Sequence, residues 1–345
     1  MRYFPSLTIT TISILGAVIG FNADLGIWPY YGKGLRLEAA FWIATAYLTV
    51  AAYLIVFRFA FIPTRFCQAN EQVEPFSRRA LFFGIGAMGS VFGWALCFLI
   101  SAHLFSVLSY EDDFIEYASF FGLLAAALLC FYGAWLSFLK TGTRLWRTLS
   151  CLAIAFGLFI CAMEEISWMQ RIFGIQTPAY LEKHNMQKEL NFHNLASTTM
   201  NLWFYFLSIC FLVLIPFFHR YTRVFSAVFP ELSILIGRSY TLLMGLTAAG
   251  FLTHYWNGIF AQLPFLLAAM VMVFCLVHER EKYPWLLILI AYLVSQGLFM
   301  YYVDWLERKW ELQEYKECYI AIGFFIYSIE LCSRLRQLPN KPKRL

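Results

Sequence analysis

Apolar residues in this chain come in blocks of roughly twenty, the length a helix needs to cross about 30 Å of hydrocarbon. That repeat constrains the fold more than any other feature. A backbone in lipid must satisfy its own hydrogen bonds, and blocks of this kind do so as helices rather than strands. Composition agrees: 61% of the 345 residues are hydrophobic and only 14% are charged, against about 25% charged in soluble domains. The blocks fall at 6–22, 39–62, 80–108, 117–139, 148–168, 195–218, 238–256, 259–278, 285–303 and 318–335. The expectation is an all-α polytopic transmembrane helical bundle of about ten spans, one integral membrane domain over residues 1–345. The first block follows Arg2 but lacks a small-residue cleavage site, so it reads as a span rather than a signal peptide. Pro230, ahead of the closely connected pair 238–256 and 259–278, suggests a re-entrant or interfacial piece.

Charge orients the bundle. With the N-terminus inside, 18 of the 26 Lys and Arg fall in cytoplasmic segments, from Arg2 through Arg58, Arg78, Arg144 and Arg223 to the basic tail at 334–344. Cytoplasmic loops carry such an excess, so both termini are expected in the cytoplasm, with a bacterial inner membrane as the expected location. The net charge of +5 then belongs to loops facing anionic lipid. Membrane lipids are the expected partners, and nucleic acid is not. The nine cysteines form no CxxC pair and read as buried small hydrophobes.

The exceptional stretch is 163–194, MEEISWMQRIFGIQTPAYLEKHNMQKELNFHN, on the outer side between spans five and six. Glu164 and Glu165 end a strongly apolar block, and carboxylates at the edge of hydrocarbon usually face protein, water or a partner. If the helix continues, Glu164, Trp168 and Arg171 share one face, so Arg171 can reach back to Glu164 or hold an anionic group. Gly174 breaks that helix, and Thr177-Pro178 reads as an N-cap with proline at the first helical position. A second helix is expected from Pro178 into the sixth span, making Glu189 and His193 neighbours one turn apart beside Asn191 and Asn194. Such a set could perform acid–base chemistry, hold a metal with help from His103 or His254, bind a ligand, or lock a hairpin. No metal is assigned, and no cofactor can be named.

Glu164-Glu165-Ile166-Ser167-Trp168-x-Gln170-Arg171-x-Phe173-Gly174, with Thr177-Pro178 and Asn191-x-His193-Asn194, resembles a signature of an uncharacterised family of bacterial multi-pass membrane proteins. That family's pattern is EEISWGQRxFG…TP…NxHN, and Met169 stands here in place of its glycine. The resemblance covers the hairpin and implies no activity. Asp24, after the first span, sits where integral-membrane glycosyltransferases of polyprenyl-phosphate sugars also carry an acidic residue, a likeness of architecture alone. Asp304, Glu307, Glu311 and Glu314 have helical spacing and read as one acidic stripe on a solvated outer helix.

Two functions follow as expectations. One is an enzyme acting on a lipid or lipid-linked substrate at the extracytoplasmic face. In it Glu164 or Glu165 serves as base, His193 as acid, base or ligand, and Arg171, Trp168, Gln170, Asn191 and Asn194 bind substrate. The other is a transporter or a non-catalytic assembly or scaffold protein whose polar cluster is structural. The oligomeric state leaves no trace in the sequence.

Overall fold

The computed structural model describes residues 39–58, 75–110, 113–141, 145–185, 187–195, 197–222, 232–251, 259–308 and 310–339. Among the described residues every regular element is helical. Six helices are long and apolar enough to cross a membrane: Arg78–Ile100, Phe114–Lys140, Leu145–Glu165, Trp203–Thr222, Lys282–Tyr301 and Glu311–Arg336. Shorter apolar helices, Thr45–Phe57 and Gln262–His278, occupy two further blocks. Only 28% of the apolar window is buried in Arg78–Ile100 and again in Leu145–Glu165. Helices this apolar and this uncovered require a hydrocarbon environment, which makes the chain a multi-pass membrane protein. The first block, Asp24, Pro230, His254 and the tail beyond 339 lie outside the described residues.

Several boundaries differ from the sequence reading. The block 80–108 is broken at Ser101, whose backbone turns extended (φ −153°, ψ 93°) and whose hydroxyl accepts from Leu104 N at 3.2 Å to start the short helix Ala102–Val107. A serine that caps a new helix competes with the old one. The block 238–256 yields the helix Ser239–Ala248, with 252–258 outside the described residues. The last helix begins at Glu311, seven residues before the apolar block.

The chain forms two compact units. In the first, Arg78–Ile100 packs on Lys282–Tyr301, and Ile259–His278 packs on both Lys282–Tyr301 and Ala39–Tyr53. Its core is aromatic: Phe105 stacks on Tyr315 with ring centroids 4.2 Å apart, and Phe98, Phe251 and Phe299 close round them. The expected acidic stripe is not one surface. Asp304 sits in a separate turn, and Glu307 pairs with His103 at 2.8 Å. Glu311 is wholly buried, accepting from Ser106 Oγ at 2.8 Å and Arg308 N at 2.7 Å. Its carboxylate lies in the first turn of Glu311–Arg336, where the helix dipole favours negative charge.

In the second unit, Phe114–Thr141 and Leu145–Glu165 form an antiparallel pair. The last helix comes so near Phe114–Thr141 that a Cβ on Gly122 would lie 3.2 Å from that of Ala321, the small-residue contact typical of membrane helices. Gly245 is more constrained, since a Cβ there would sit 2.9 Å from the Leu212 carbonyl oxygen. Glu330 anchors the start of Ser239–Ala248, its carboxylate accepting from Arg238 N (2.8 Å), Tyr240 N (3.0 Å) and Thr241 Oγ1 (2.6 Å).

Candidate functional site

The hairpin 164–194 lies wholly within the second unit. It is built on a break that its sequence does not announce. The helix Leu145–Glu165 stops, and Ser167, Trp168 and Met169 follow with φ of 46°, 54° and 60°. Three successive left-handed residues with side chains each cost about 1–2 kcal/mol, so the surroundings must hold the turn in place. The expected continuous face of Glu164, Trp168 and Arg171 is therefore absent. After the turn come the single helical turn Gln170–Phe173, ended by Gly174 at φ 61°, and the short helix Ala179–His184.

Side chains fasten this irregular path. Glu164 accepts from the Trp168 indole N–H at 2.6 Å and from Phe192 N at 2.7 Å, joining the two ends of the hairpin. Glu189 is the second hub. It pairs with Arg171 and accepts from Ser167 Oγ, with Asn191 Nδ2 at 3.4 Å. Arg171 thus reaches Glu189, where the sequence reading aimed it at Glu164. Gln170 uses both ends of its amide, donating to Thr177 Oγ1 at 2.6 Å and accepting from Leu190 N at 2.5 Å. Asn191 Nδ2 donates to Ser167 Oγ at 3.0 Å, and Asn185 Nδ2 donates to Asn191 Oδ1 at 2.7 Å. Asn194 donates to Gln187. Ser167, Asn185, Asn191 and Asn194 are all buried.

Two local expectations are corrected. Thr177 caps no helix: its hydroxyl donates to Lys188 O at 2.8 Å, and Pro178, not Thr177, occupies the cap position of Ala179–His184. No helix runs from Pro178 into the next span. Residues 187–192 are irregular, Lys188 is left-handed at φ 57°, and regular helix resumes at Ser197. Glu189 and His193 are therefore not one turn apart on a helix. His193 begins a short turn, His193–Leu195, and its side chain lies outside the described residues.

The structure thus brings Glu164, Trp168, Gln170, Arg171, Asn191 and Asn194 into hydrogen bonds within one hairpin. Glu165 ends the helix beside them and is half-buried. Ser167 and Asn185 take part without any signal in spacing or charge. Among the described residues no group of three or more His, Cys, Asp or Glu stands placed to hold a metal ion. The arrangement can brace a backbone, and Arg171, 40% exposed at its side chain, meets the surroundings from its edge. No protein-family model matches the chain, and neither the curated proteins nor the solved structures searched contain a match to it.

Proposed function

We propose that the chain is a non-catalytic integral membrane protein, a scaffold or assembly component of about ten spans with both termini cytoplasmic and a bacterial inner membrane as its location. Its hairpin 164–194 is a polar lock that presents a fixed outer surface. The observation that carries this reading is the mutual occupation of the two hubs. Both oxygens of Glu164 and both of Glu189 accept from groups of the same hairpin. Bonds to the hairpin's own groups hold both carboxylates in place, as a lock requires, whereas a general base also needs an oxygen within hydrogen-bond reach of a substrate proton. The bias of Lys and Arg towards alternate loops supports the topology.

One observation favours a second reading. Strained, left-handed residues such as those at 167–169 gather at active sites. In that reading the protein acts on a lipid or lipid-linked substrate at the extracytoplasmic face, with Glu164 or Glu165 as base, His193 as acid or base and Arg171 as anion binder.

Glu164→Gln separates the two. Glutamine offers one acceptor oxygen to the two N–H groups now bound, and an orphaned donor costs about 1–3 kcal/mol. The lock expects a lowered melting temperature, with any functional loss following the amount of folded protein. Wild-type melting with complete failure to replace the native chain in cells would favour the enzyme and sink the lock.

A further inference from the structure

The hairpin is built inside out. A loop in water buries its apolar side chains and exposes its polar ones. Here Ser167, Asn185, Asn191 and Asn194 are buried, whereas Ile172, Phe173 (69%), Ile175, Tyr180 (66%), Phe192 (57%) and Leu195 are exposed. Leu181 is the one large aliphatic side chain of the short helix Ala179–His184, and it is buried. The flanking helices also expose apolar side chains, Phe156 and Ile160 before the hairpin and Met200, Trp203 and Leu207 after it. Arg171, Lys183 and Lys188 are exposed among these residues, against Glu182 of opposite sign.

We propose that the hairpin is a membrane-interface element, with Phe173, Tyr180 and Phe192 set among lipid acyl chains and Lys183 and Lys188 placed for anionic headgroup phosphates. The occupant is the bilayer because the hairpin joins, in sequence, two apolar helices that are themselves largely uncovered, Leu145–Glu165 and Trp203–Thr222. Lys183 and Lys188 stand exposed where an anionic lipid surface attracts cationic groups, while the charge of Arg171 is met by Glu189. The polar interior meets the same condition, since irregular backbone at membrane depth persists only where protein satisfies it. The Leu190 and Phe192 amides, bound by Gln170 and Glu164, are satisfied in that way. This inference rests on the chain spanning a membrane but not on the lock being non-catalytic.

The test is site-specific photocrosslinking in nanodiscs of phosphatidylethanolamine and phosphatidylglycerol. p-Benzoylphenylalanine is placed singly at Phe173, Phe192, Lys183 and, as a span control, Phe121, which is 61% exposed in Phe114–Lys140. The expected result is lipid adducts at Phe173 and Phe192 in yields comparable to Phe121, with acyl-chain adducts lost at Lys183. Lipid adducts at Phe121 with none at Phe173 and Phe192 overturn the proposal, whether those sites give protein adducts or stay unreacted. No lipid adduct at Phe121 overturns the membrane reading itself, and this proposal with it.

Discussion

Replacing Glu189 by alanine is expected to destabilise the protein by about 2–4 kcal/mol, read as a fall of several degrees in melting temperature in detergent or nanodiscs. The change removes the acceptor for Ser167 and Asn191 and the counter-charge of Arg171. Because Arg171 is 40% exposed, its share is the screened part, and the buried serine and asparagine carry most of the loss. Ser167 also sits in the left-handed turn, so releasing it lets the strained backbone at 167–169 relax towards helix. The effect should therefore be cooperative along the hairpin, with Arg171→Ala costing less than Glu189→Ala. Equal melting of Glu189→Ala and wild type would mean that Glu189 holds nothing in place.

Glu330→Ala is expected to act as strongly at a different place. Its carboxylate accepts from two backbone amides and the hydroxyl of buried Thr241 at the start of Ser239–Ala248, where no helical partner exists for those amides. Losing a cap costs about 1 kcal/mol, and a buried hydroxyl left without its acceptor adds about 1–3 kcal/mol. Glu330→Gln, which keeps one acceptor oxygen, should fall between alanine and wild type. Thermal unfolding of the three proteins side by side checks the order, and a glutamine variant as unstable as alanine would contradict it.

The apolar blocks were legible because hydrocarbon sets their length. The block 259–278 coincides with the helix Ile259–His278, and 285–303 lies close to Lys282–Tyr301. Boundaries failed where polar residues decide them. Glu311 and Glu314 read as part of a solvated outer helix ahead of the last span but begin that span's own helix, with Glu311 finding partners in Ser106 and Arg308. The hairpin was visible as a concentration of Glu, Arg, Asn and His, yet its geometry was not. Nothing between Glu164 and Phe173 is glycine or proline, so helical periodicity runs on through a turn that the structure makes left-handed. The Glu164–Phe192 contact beside this turn spans 28 positions and leaves no periodic trace. Glycine at position 169 would adopt φ 60° without the side-chain penalty that Met169 carries.

The most direct measurement is hydrogen exchange at the backbone amides of Leu190 and Phe192 in the wild-type protein in nanodiscs. These amides belong to no helix, and they are held by the side chains of Gln170 and Glu164. A locked hairpin protects both well beyond an irregular loop, and Glu164→Gln speeds exchange at Phe192. Exchange of both amides at the rate of a solvated loop, unchanged in Glu164→Gln, would contradict the lock.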